Sequence, residues 1–272
     1  VMGMSNPVAV KLTVVLTSVW WGIFSIPMLK NIKQQHYLKA PEHILKNTFS
    51  NIGKTLKNIA HRKGLLFFIL AYFCYIDGVG TVIHMSTSYG ETLNLDTVGM
   101  ILALLVTQIV AVPCSILFGR LAQKVGSVRM IAFAIGVYFL ICLVGLYMGF
   151  SVEAANGAED AIHRAEILFW IMAAMVGMVQ GGIQALSRSY FGKLIPANKS
   201  NEYFGFFDIF GKFATVVGPL LVSLVTDLTN RSSLGILSLL VLFAVGGLLL
   251  FLGRNHMKAE EAAVKQEEAE EA

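Results

Sequence analysis

Charged residues are scarce in this sequence: 14% of its 272 residues are charged, whereas 56% are hydrophobic. Soluble globular domains carry about 25% charged residues, so the composition excludes an ordinary soluble domain. A mean hydropathy of +0.67 agrees with this. The three cysteines lie far apart in apolar runs, which excludes a disulfide framework and a CxxC metal site. The composition therefore indicates a membrane protein.

Signatures of catalysis are missing as well. The sequence contains no HExxH, no GxSxG and no phosphate-binding GxxxxGK[ST]. Its lysines and arginines lie between apolar runs and form no basic domain, which argues against nucleic acid as a partner. We therefore expect no enzyme, no ATP-driven pump, no cofactor and no metal site. Membrane lipid is the first expected partner.

Long apolar runs are what the sequence does contain. A helix needs about 20 residues to cross the hydrocarbon core of a bilayer, and seven runs reach that length. The first is too long for a cleavable signal peptide and lacks a basic leader, so we expect it to span the membrane. The runs lie near Val8 to Leu29, Leu65 to Tyr89, Thr97 to Phe118, Val128 to Phe150, Ile167 to Arg188, Tyr203 to Thr226 and Leu234 to Gly253.

Basic residues predict the orientation of these spans. Seventeen of the 21 lysines and arginines fall on one side, and eight of these lie between Lys30 and Lys63. Only Lys11, Arg164 and Arg231 fall on the other side, and Lys212 lies within a span. Because basic residues collect on the cytoplasmic side, we expect a cytoplasmic C-terminus and an external N-terminus.

Two segments outside the spans have a character of their own. Between residues 40 and 63, apolar residues recur at spacings of four and three with lysines between them, which predicts a basic amphipathic helix. This helix would lie on the inner membrane face or serve as a target for a partner protein. After Gly253 the sequence is charged and alanine-rich, so we expect a solvated tail that is helical at most. The apolar positions are Leu45, Phe49, Ile52, Leu56 and Ile59.

A polar stripe runs along the second span. Asp77, Thr81, His84 and Ser88 follow one another at spacings of four, three and four residues, so they share one helical face. An ionisable side chain costs roughly 2.5 to 3.5 kcal/mol at the centre of a spanning helix. We therefore expect the stripe to face protein or water and not lipid.

The fifth span carries a similar stripe. Gln180, Gln184 and Ser187 repeat the first two steps, and Asp77-Gly78 aligns with Gln180-Gly181. This suggests that spans two to four and five to seven are inverted three-helix repeats; the alternative is coincidence, since a short pattern of four and three is common in helices. As repeats, the two stripes would together line a path across the membrane.

Two opposite charges lie within the sixth span. Asp208 and Lys212 are four residues apart on one helical face. They would form an ion pair within the helix or a tether to another helix, or they would take part in substrate or proton handling. Lys212 is also expected at a depth similar to that of Asp77, so a pair between the two spans is a further alternative.

The loop between the third and fourth spans carries a family signature. Its sequence, GRLAQKVGSVR, resembles the major facilitator signature GxLaDrxGrr, whose glycines allow a tight cytoplasmic turn and whose charges latch two halves together. Gln123 stands where the family usually has aspartate, which puts the acidic part of the latch in doubt. The matching residues are Gly119, Arg120, Gly126 and Arg129.

Further stretches look like those of one branch of this superfamily. WWGIFSIP, YIDGVGT, QGGIQALSRSYFGKLIP and YFGFFDIFGKFATVVGPL are similar to sequences of bacterial permeases related to the autophagy-linked vacuolar amino-acid effluxer. The resemblance covers nearly all of the chain from Trp20 to Gly253. It implies that the seven spans correspond to helices six to twelve of a twelve-helix transporter of the bacterial inner membrane.

This correspondence implies an organisation for the chain. Residues 1–29 would be the last helix of an N-terminal half, 30–63 a cytoplasmic linker, 64–253 the C-terminal six-helix bundle and 254–272 a charged cytoplasmic tail. Five helices of the N-terminal half are then missing. We expect the chain to be a fragment whose partner is that half; a half-transporter that dimerises is the alternative.

The resemblance also implies a function. We expect a secondary transporter of small polar solutes, amino acids by family resemblance, that works by alternating access. Asp77 would respond to protons or cations, the polar residues near it would bind substrate, and Arg188 would lie at the cytoplasmic mouth. The alternative is a non-transporting scaffold or regulator whose polar stripes only join helices. The candidate residues are Asp77, Thr81, His84, Gln180, Gln184, Arg188, Asp208 and Lys212.

Overall fold

The computed structural model describes residues 6–32, 53 and 55–271, and over these residues the chain is helical without any strand. Most of the predicted linker helix, including Leu45, Phe49 and Ile52, lies outside the described residues. The seven long helices are α1 (Asn6–Asn31), α2 (Lys63–Thr92), α3 (Thr97–Val125), α4 (Ser127–Ala154), α5 (Glu159–Gly192), α6 (Ser200–Thr229) and α7 (Ser232–Glu271).

All seven helices are long and apolar enough to cross a membrane. The predicted fold class, an all-α protein with seven membrane-spanning helices, is confirmed. The chain is thus an integral multi-pass membrane protein. It divides into two compact units, residues 1–49 with α1 and residues 50–272 with the other six helices.

Short turns separate the helices of the second unit, and local chemistry fixes where they fall. Gly126 alone joins α3 to α4, at a φ of 102° that favours glycine over any residue with a side chain. Asp96 caps α3, because its carboxylate accepts a hydrogen bond of 2.7 Å from the Gly99 N–H. Asn230 ends α6 in the left-handed conformation, at a φ of 52°.

The packing order follows the internal repeat predicted from the polar stripes. Helix α3 packs on α5 as α6 packs on α2, and α2 packs on α7 as α5 packs on α4. Exchanging α2 to α4 for α5 to α7 therefore reproduces the main contacts between the helices. This is the arrangement expected of two three-helix units related by a two-fold pseudo-symmetry.

We call the end of the bundle that holds the α3–α4 turn and the last part of α7 the tail end, and the opposite end the far end. At the tail end, α7 continues without a break to Glu271. Met257 and Val264 on this extension are 0% and 2% exposed, and Ile59 near the start of the unit is 1% exposed. The tail is therefore helical, which is the most structure that the sequence led us to expect. It is not solvated on all sides, because one of its faces is packed against the protein.

A charge pair holds the tail to the residue that precedes α2. Arg62 Nε donates to Glu260 Oε1 at 2.5 Å, and the Phe67 ring stacks on His256 with centroids 5.7 Å apart. Burial alone would lower the pKa of Arg62, but the hydrogen bond and the charge of Glu260 raise it. The residue that precedes α2 and the tail therefore meet at the same end of the bundle.

Close approach of helices in the bundle depends on particular glycines. A Cβ on Gly177 of α5 would lie 2.6 Å from the carbonyl oxygen of Thr107 on α3, whereas a Cβ on Gly136 of α4 would meet nothing within 4 Å. We expect Gly177→Ala to lower the melting temperature of the purified protein by several degrees, because backbone cannot yield as a flexible side chain can. Gly136→Ala is the matched control, and its melting temperature should be unchanged or slightly higher. Equal melting temperatures for the two variants would show that α3 and α5 do not pack this closely.

Candidate functional site

A groove between α2, α5 and α6 brings together four of the residues predicted from the sequence. It encloses about 550 Å³ and is lined by His84 from α2 and by Gln180, Gln184 and Arg188 from α5. Gln184 and Arg188 lie one and two turns along α5 from Gln180, so all three project from one side of that helix. The rest of the lining consists of Tyr72, Ile76, Val79, Gly80, Ile83, Gly181, Phe207 and Thr215.

Aromatic rings pack together at the tail-end side of the groove. Tyr72 stacks on Phe207 with centroids 4.1 Å apart, and Phe207 stacks on Phe191 at 4.4 Å. Phe204 meets Phe191 edge to face at 5.3 Å. Such stacked rings bury much apolar surface in a fixed geometry. The groove therefore has polar side chains along its wall and packed aromatic rings at its tail-end side.

Arg188 pairs with Asp208 across the gap between α5 and α6. Its Nη1 lies 2.6 Å from Asp208 Oδ1, and its guanidinium lies 4.9 Å from the centre of the Phe204 ring. The two side chains are 56% and 50% exposed, so the pair sits at the rim and not in the core. Among the residues that the structure describes, Lys212 makes no ion pair with Asp208. The tether to another helix, one of the predicted alternatives, is thus present with Arg188 as the cation.

Asp77 is separated from the groove and buried. It is 0% exposed, and among the described residues neither of its carboxylate oxygens has a side-chain hydrogen-bond partner. A Cβ on Gly218 of α6 would lie 2.9 Å from Asp77 Oδ1 and would also collide with Thr81 Oγ1, so both side chains rest on the same glycine. Thr81 Oγ1 donates to the Asp77 carbonyl oxygen at 2.8 Å. Because no side chain among the described residues pairs with Asp77, the suggested pair with Lys212 is not formed.

Of the three stripe residues on α5, Gln180 and Gln184 line the groove, whereas Ser187 does not. Ser187 is 0% exposed, and its hydroxyl is 2.6 Å from the Tyr75 hydroxyl of α2. This buried hydrogen bond joins α2 to α5. The predicted path along Gln180, Gln184 and Ser187 is therefore lined by the two glutamines, while Ser187 serves the helix contact.

A second cavity, which the sequence pattern did not indicate, opens at the far end. It encloses about 230 Å³ between α2, α4, α5, α6 and α7. Its wall is mostly apolar, but it includes Thr81, Ser88, Ser223 and Asp227. No periodic signal on one helix could have revealed it, because five helices contribute to its lining. Gln108 of α3, which lines a smaller cavity together with Gln180, was also missed.

The loop signature forms the turn that its glycines predict. Gly126 occupies the turn itself, and Gly119 lies within α3 with open space around its α-carbon. Arg120 and Arg129 are exposed at the tail end, and neither forms an ion pair with another described residue. Over the described residues, no group of three or more His, Cys, Asp or Glu side chains is placed to hold a metal ion.

Known proteins resemble this chain over nearly its whole length. The sequence model of a family described as "Vacuole effluxer Atg22 like" matches residues 1–263. An uncharacterized MFS-type transporter, YxiO, of Bacillus subtilis is 43% identical over 242 residues, which cover 89% of this chain and 53% of that protein. Autophagy-related protein 22 of Eremothecium gossypii is 26% identical over 273 residues, which cover 93% of this chain and 52% of that protein.

A further relative is similar to the chain over a comparable length. Autophagy-related protein 22 of Cryptococcus neoformans is 26% identical over 247 residues, which cover 87% of this chain and 43% of that protein. The chain thus spans about half the length of the curated relatives it matches. No solved structure matches it.

Proposed function

Because the chain belongs to the family of Atg22-like vacuole effluxers, we propose that it supplies the C-terminal half, with one preceding helix, of a secondary transporter that moves amino acids. Its relatives include a protein named as a transporter of the major facilitator type. In such a transporter the substrate binds between two six-helix halves. The groove between α2, α5 and α6 would be this chain's share of the binding site, with the missing half as the opposite wall.

The observation that carries the proposal is the groove between α2, α5 and α6. Its polar side chains converge on a space of about 550 Å³. Arg188 pairs with Asp208 at the rim, whereas His84, Gln180 and Gln184 make no hydrogen bond to another side chain among the described residues. Polar residues that only join helices would instead form hydrogen bonds with one another, as Tyr75 and Ser187 do. The groove therefore supports a transporter over a scaffold or regulator.

The charges at the rim favour an amino acid as the substrate. An amino acid carries a carboxylate and an ammonium group close together, and the pair of Arg188 and Asp208 offers one complementary partner to each. Both side chains are about half exposed, so exchanging their mutual contact for the substrate would cost little. The glutamine amides, which both donate and accept hydrogen bonds, would hold the rest of the substrate.

We assign the tail end to the cytoplasm. The basic residues at that end, which include the loop around Gly126 and the last part of α7, outnumber those at the far end, and such residues collect on the cytoplasmic side of a membrane. Alternating access would arise from rocking of the two halves. Pro219 inside α6 offers a point at which that helix bends, because proline removes one helical hydrogen bond.

Exchange in liposomes tests this function. The full-length protein would be reconstituted into vesicles loaded with one unlabelled amino acid at a time, and uptake of the same amino acid in radiolabelled form would be followed. We expect exchange of at least one amino acid, a reduction of at least about tenfold in Gln184→Leu, and no change in Gln266→Leu, which replaces an exposed glutamine of the tail. Folded protein that exchanges no amino acid would refute the proposal and favour a scaffold.

A further inference from the structure

We infer that the far-end cavity is a binding site for a small amphiphilic amine, whose ammonium group pairs with Asp227 and whose apolar body lies between the helices. The cavity and the substrate groove have no lining residue in common. The inference therefore does not rest on the proposed transport function, and it adds a second ligand site to the protein.

Helix α2 separates this cavity from the groove. Gly80 and His84 line the groove, whereas the residues that follow them, Thr81 and Met85, line the cavity. Because successive residues of a helix point in directions about 100° apart, α2 presents different sides to the two spaces. A ligand in the cavity therefore does not touch a substrate in the groove.

The size of the cavity fits a molecule with one ring and a short chain. Its lining on α2 runs from Thr81 to Thr92, a distance of about 16 Å at a rise of about 1.5 Å per residue. An apolar cavity of about 150 Å³ can hold benzene, and this cavity encloses about 230 Å³. Met85 and Met172 lie in its wall, and flexible methionine side chains adapt to the shape of a ligand.

The lining changes from apolar to polar toward the far end. Ile141 and Leu239 lie well inside their helices and line the inner part of the cavity. Thr92 is the last residue of α2, Ser232 is the first of α7, and Asp227 lies in the last turn of α6, so the ends of three helices meet at the mouth. This gradient matches a ligand with an apolar body and a polar head.

Asp227 is the side chain of the lining that gains most from a hydrogen-bond donor on a ligand. Several hydroxyl groups of the cavity already donate to backbone carbonyl oxygens, Thr81 at 2.8 Å, Tyr89 at 2.9 Å and Thr92 at 2.7 Å. Within the described part of the chain, the carboxylate of Asp227 accepts one long hydrogen bond, of 3.5 Å, from Ser223. A bond of that length is weak.

The charge at the mouth selects a cation. Among the described residues, Asp227 forms no ion pair, and those that line the cavity include no lysine, arginine or histidine. The last turn of α6 carries no basic residue, so the negative end of its helix dipole adds to the charge of the carboxylate. Arg231, the nearest cation along the chain, is not a lining residue. An ammonium group is thus attracted here, whereas the phosphate of an anionic lipid is repelled.

Equilibrium binding of radiolabelled 2-phenylethylamine to the full-length protein tests the inference. The protein would be placed in phosphatidylcholine nanodiscs at neutral pH, and binding to empty nanodiscs would be subtracted. We expect saturable binding that is about fivefold weaker in Asp227→Asn and unchanged in Asp160→Asn, which alters an exposed aspartate at the same end. 2-Phenylethanol, which has the same ring but no charge, should displace the amine with equal affinity from wild type and Asp227→Asn.

Two further variants locate the ligand. A Cβ on Gly145 would lie 3.2 Å from Met172 and 3.4 Å from Ile236, both of which line the cavity, so Gly145→Val fills part of it. This variant should bind the amine at least about tenfold more weakly. Gly136→Val is the matched control, because a Cβ there meets nothing within 4 Å. Gln184→Leu, which alters the groove, should bind the amine as wild type does.

Three results would overturn the inference. The amine might show no saturable binding, which would favour a lipid chain as the occupant. Asp227→Asn could weaken the amine no more than the alcohol, which would remove the ion pair. Loss of binding in Gln184→Leu would place the amine in the groove. If Gly145→Val does not fold, the comparison of amine and alcohol still decides, and none of these results depends on whether the protein transports an amino acid.

Discussion

Replacing Arg188 with glutamine is expected to lower the affinity of the full-length transporter for its amino acid by at least about tenfold. The guanidinium lies at the rim of the groove, 2.6 Å from Asp208, and among the described residues that line the groove no lysine or other arginine is present. A hydrogen bond to a charged group contributes about 1.5 to 3 kcal/mol, and 1.4 kcal/mol is a factor of ten in affinity. Half-saturation in the exchange assay measures the effect.

An effect of the arginine variants on substrate affinity can be distinguished from a loss of stability. The pair of Arg188 and Asp208 is half exposed, so it contributes little to stability and Arg188→Gln should keep the melting temperature of wild type. Arg188→Lys should have an intermediate affinity, because lysine keeps the charge but not the planar fork. Lys193→Gln removes an exposed cation at the same end of α5 and is the control. Wild-type affinity in Arg188→Gln would exclude a role in substrate binding.

Replacing Asp77 with asparagine is expected to abolish accumulation driven by a pH gradient while exchange continues. Asparagine has nearly the same shape as the protonated carboxyl but cannot release a proton, so the variant stays in one protonation state. Because Asp77 is buried without a side-chain partner among the described residues, removing its charge should leave the melting temperature unchanged or raise it. The readout is the ratio of accumulation to exchange, measured in parallel with the melting temperature.

The control for this variant is another aspartate of the same bundle. Asp160→Asn changes an exposed residue near the start of α5 and should behave as wild type in both assays. Normal accumulation in Asp77→Asn would exclude Asp77 from coupling. A large fall in its melting temperature would show that the carboxylate is paired in the folded protein, in contradiction to its position here.

Hydropathy and length were enough to predict the seven helices, because a membrane span needs a long apolar run and leaves few alternatives for it. The internal repeat was suggested by the stripes at Asp77 and Gln180, and the packing order of the helices agrees with it. The turn at Gly126 was also predicted, from a glycine that takes a φ of 102°. These features are local or periodic along the chain, so they can be predicted from a single sequence.

The pairing of side chains was less accessible from the sequence. A spacing of four residues suggested Lys212 as the partner of Asp208, but that spacing shows only neighbours on the same helix, and Arg188 approaches from α5. Periodicity likewise predicted that Ser187 lines the same path as the two glutamines, but its hydroxyl forms a hydrogen bond with the Tyr75 hydroxyl of another helix. The far-end cavity depends on five helices at once, which no pattern along one helix represents.

The most direct test of the central claim is protection of a cysteine in the groove by substrate. The full-length protein would carry Gln184→Cys after Cys74, Cys114 and Cys142 have been replaced by serine, and labelling by a membrane-impermeant maleimide would be timed with and without the exchanged amino acid. Val241→Cys, at a position of α7 that is 59% exposed within an apolar stripe, is the control. The groove account predicts that Gln184→Cys reacts faster than the control and that the amino acid slows it severalfold. Equal rates at the two positions, or a rate at Gln184→Cys that the amino acid does not change, would contradict it.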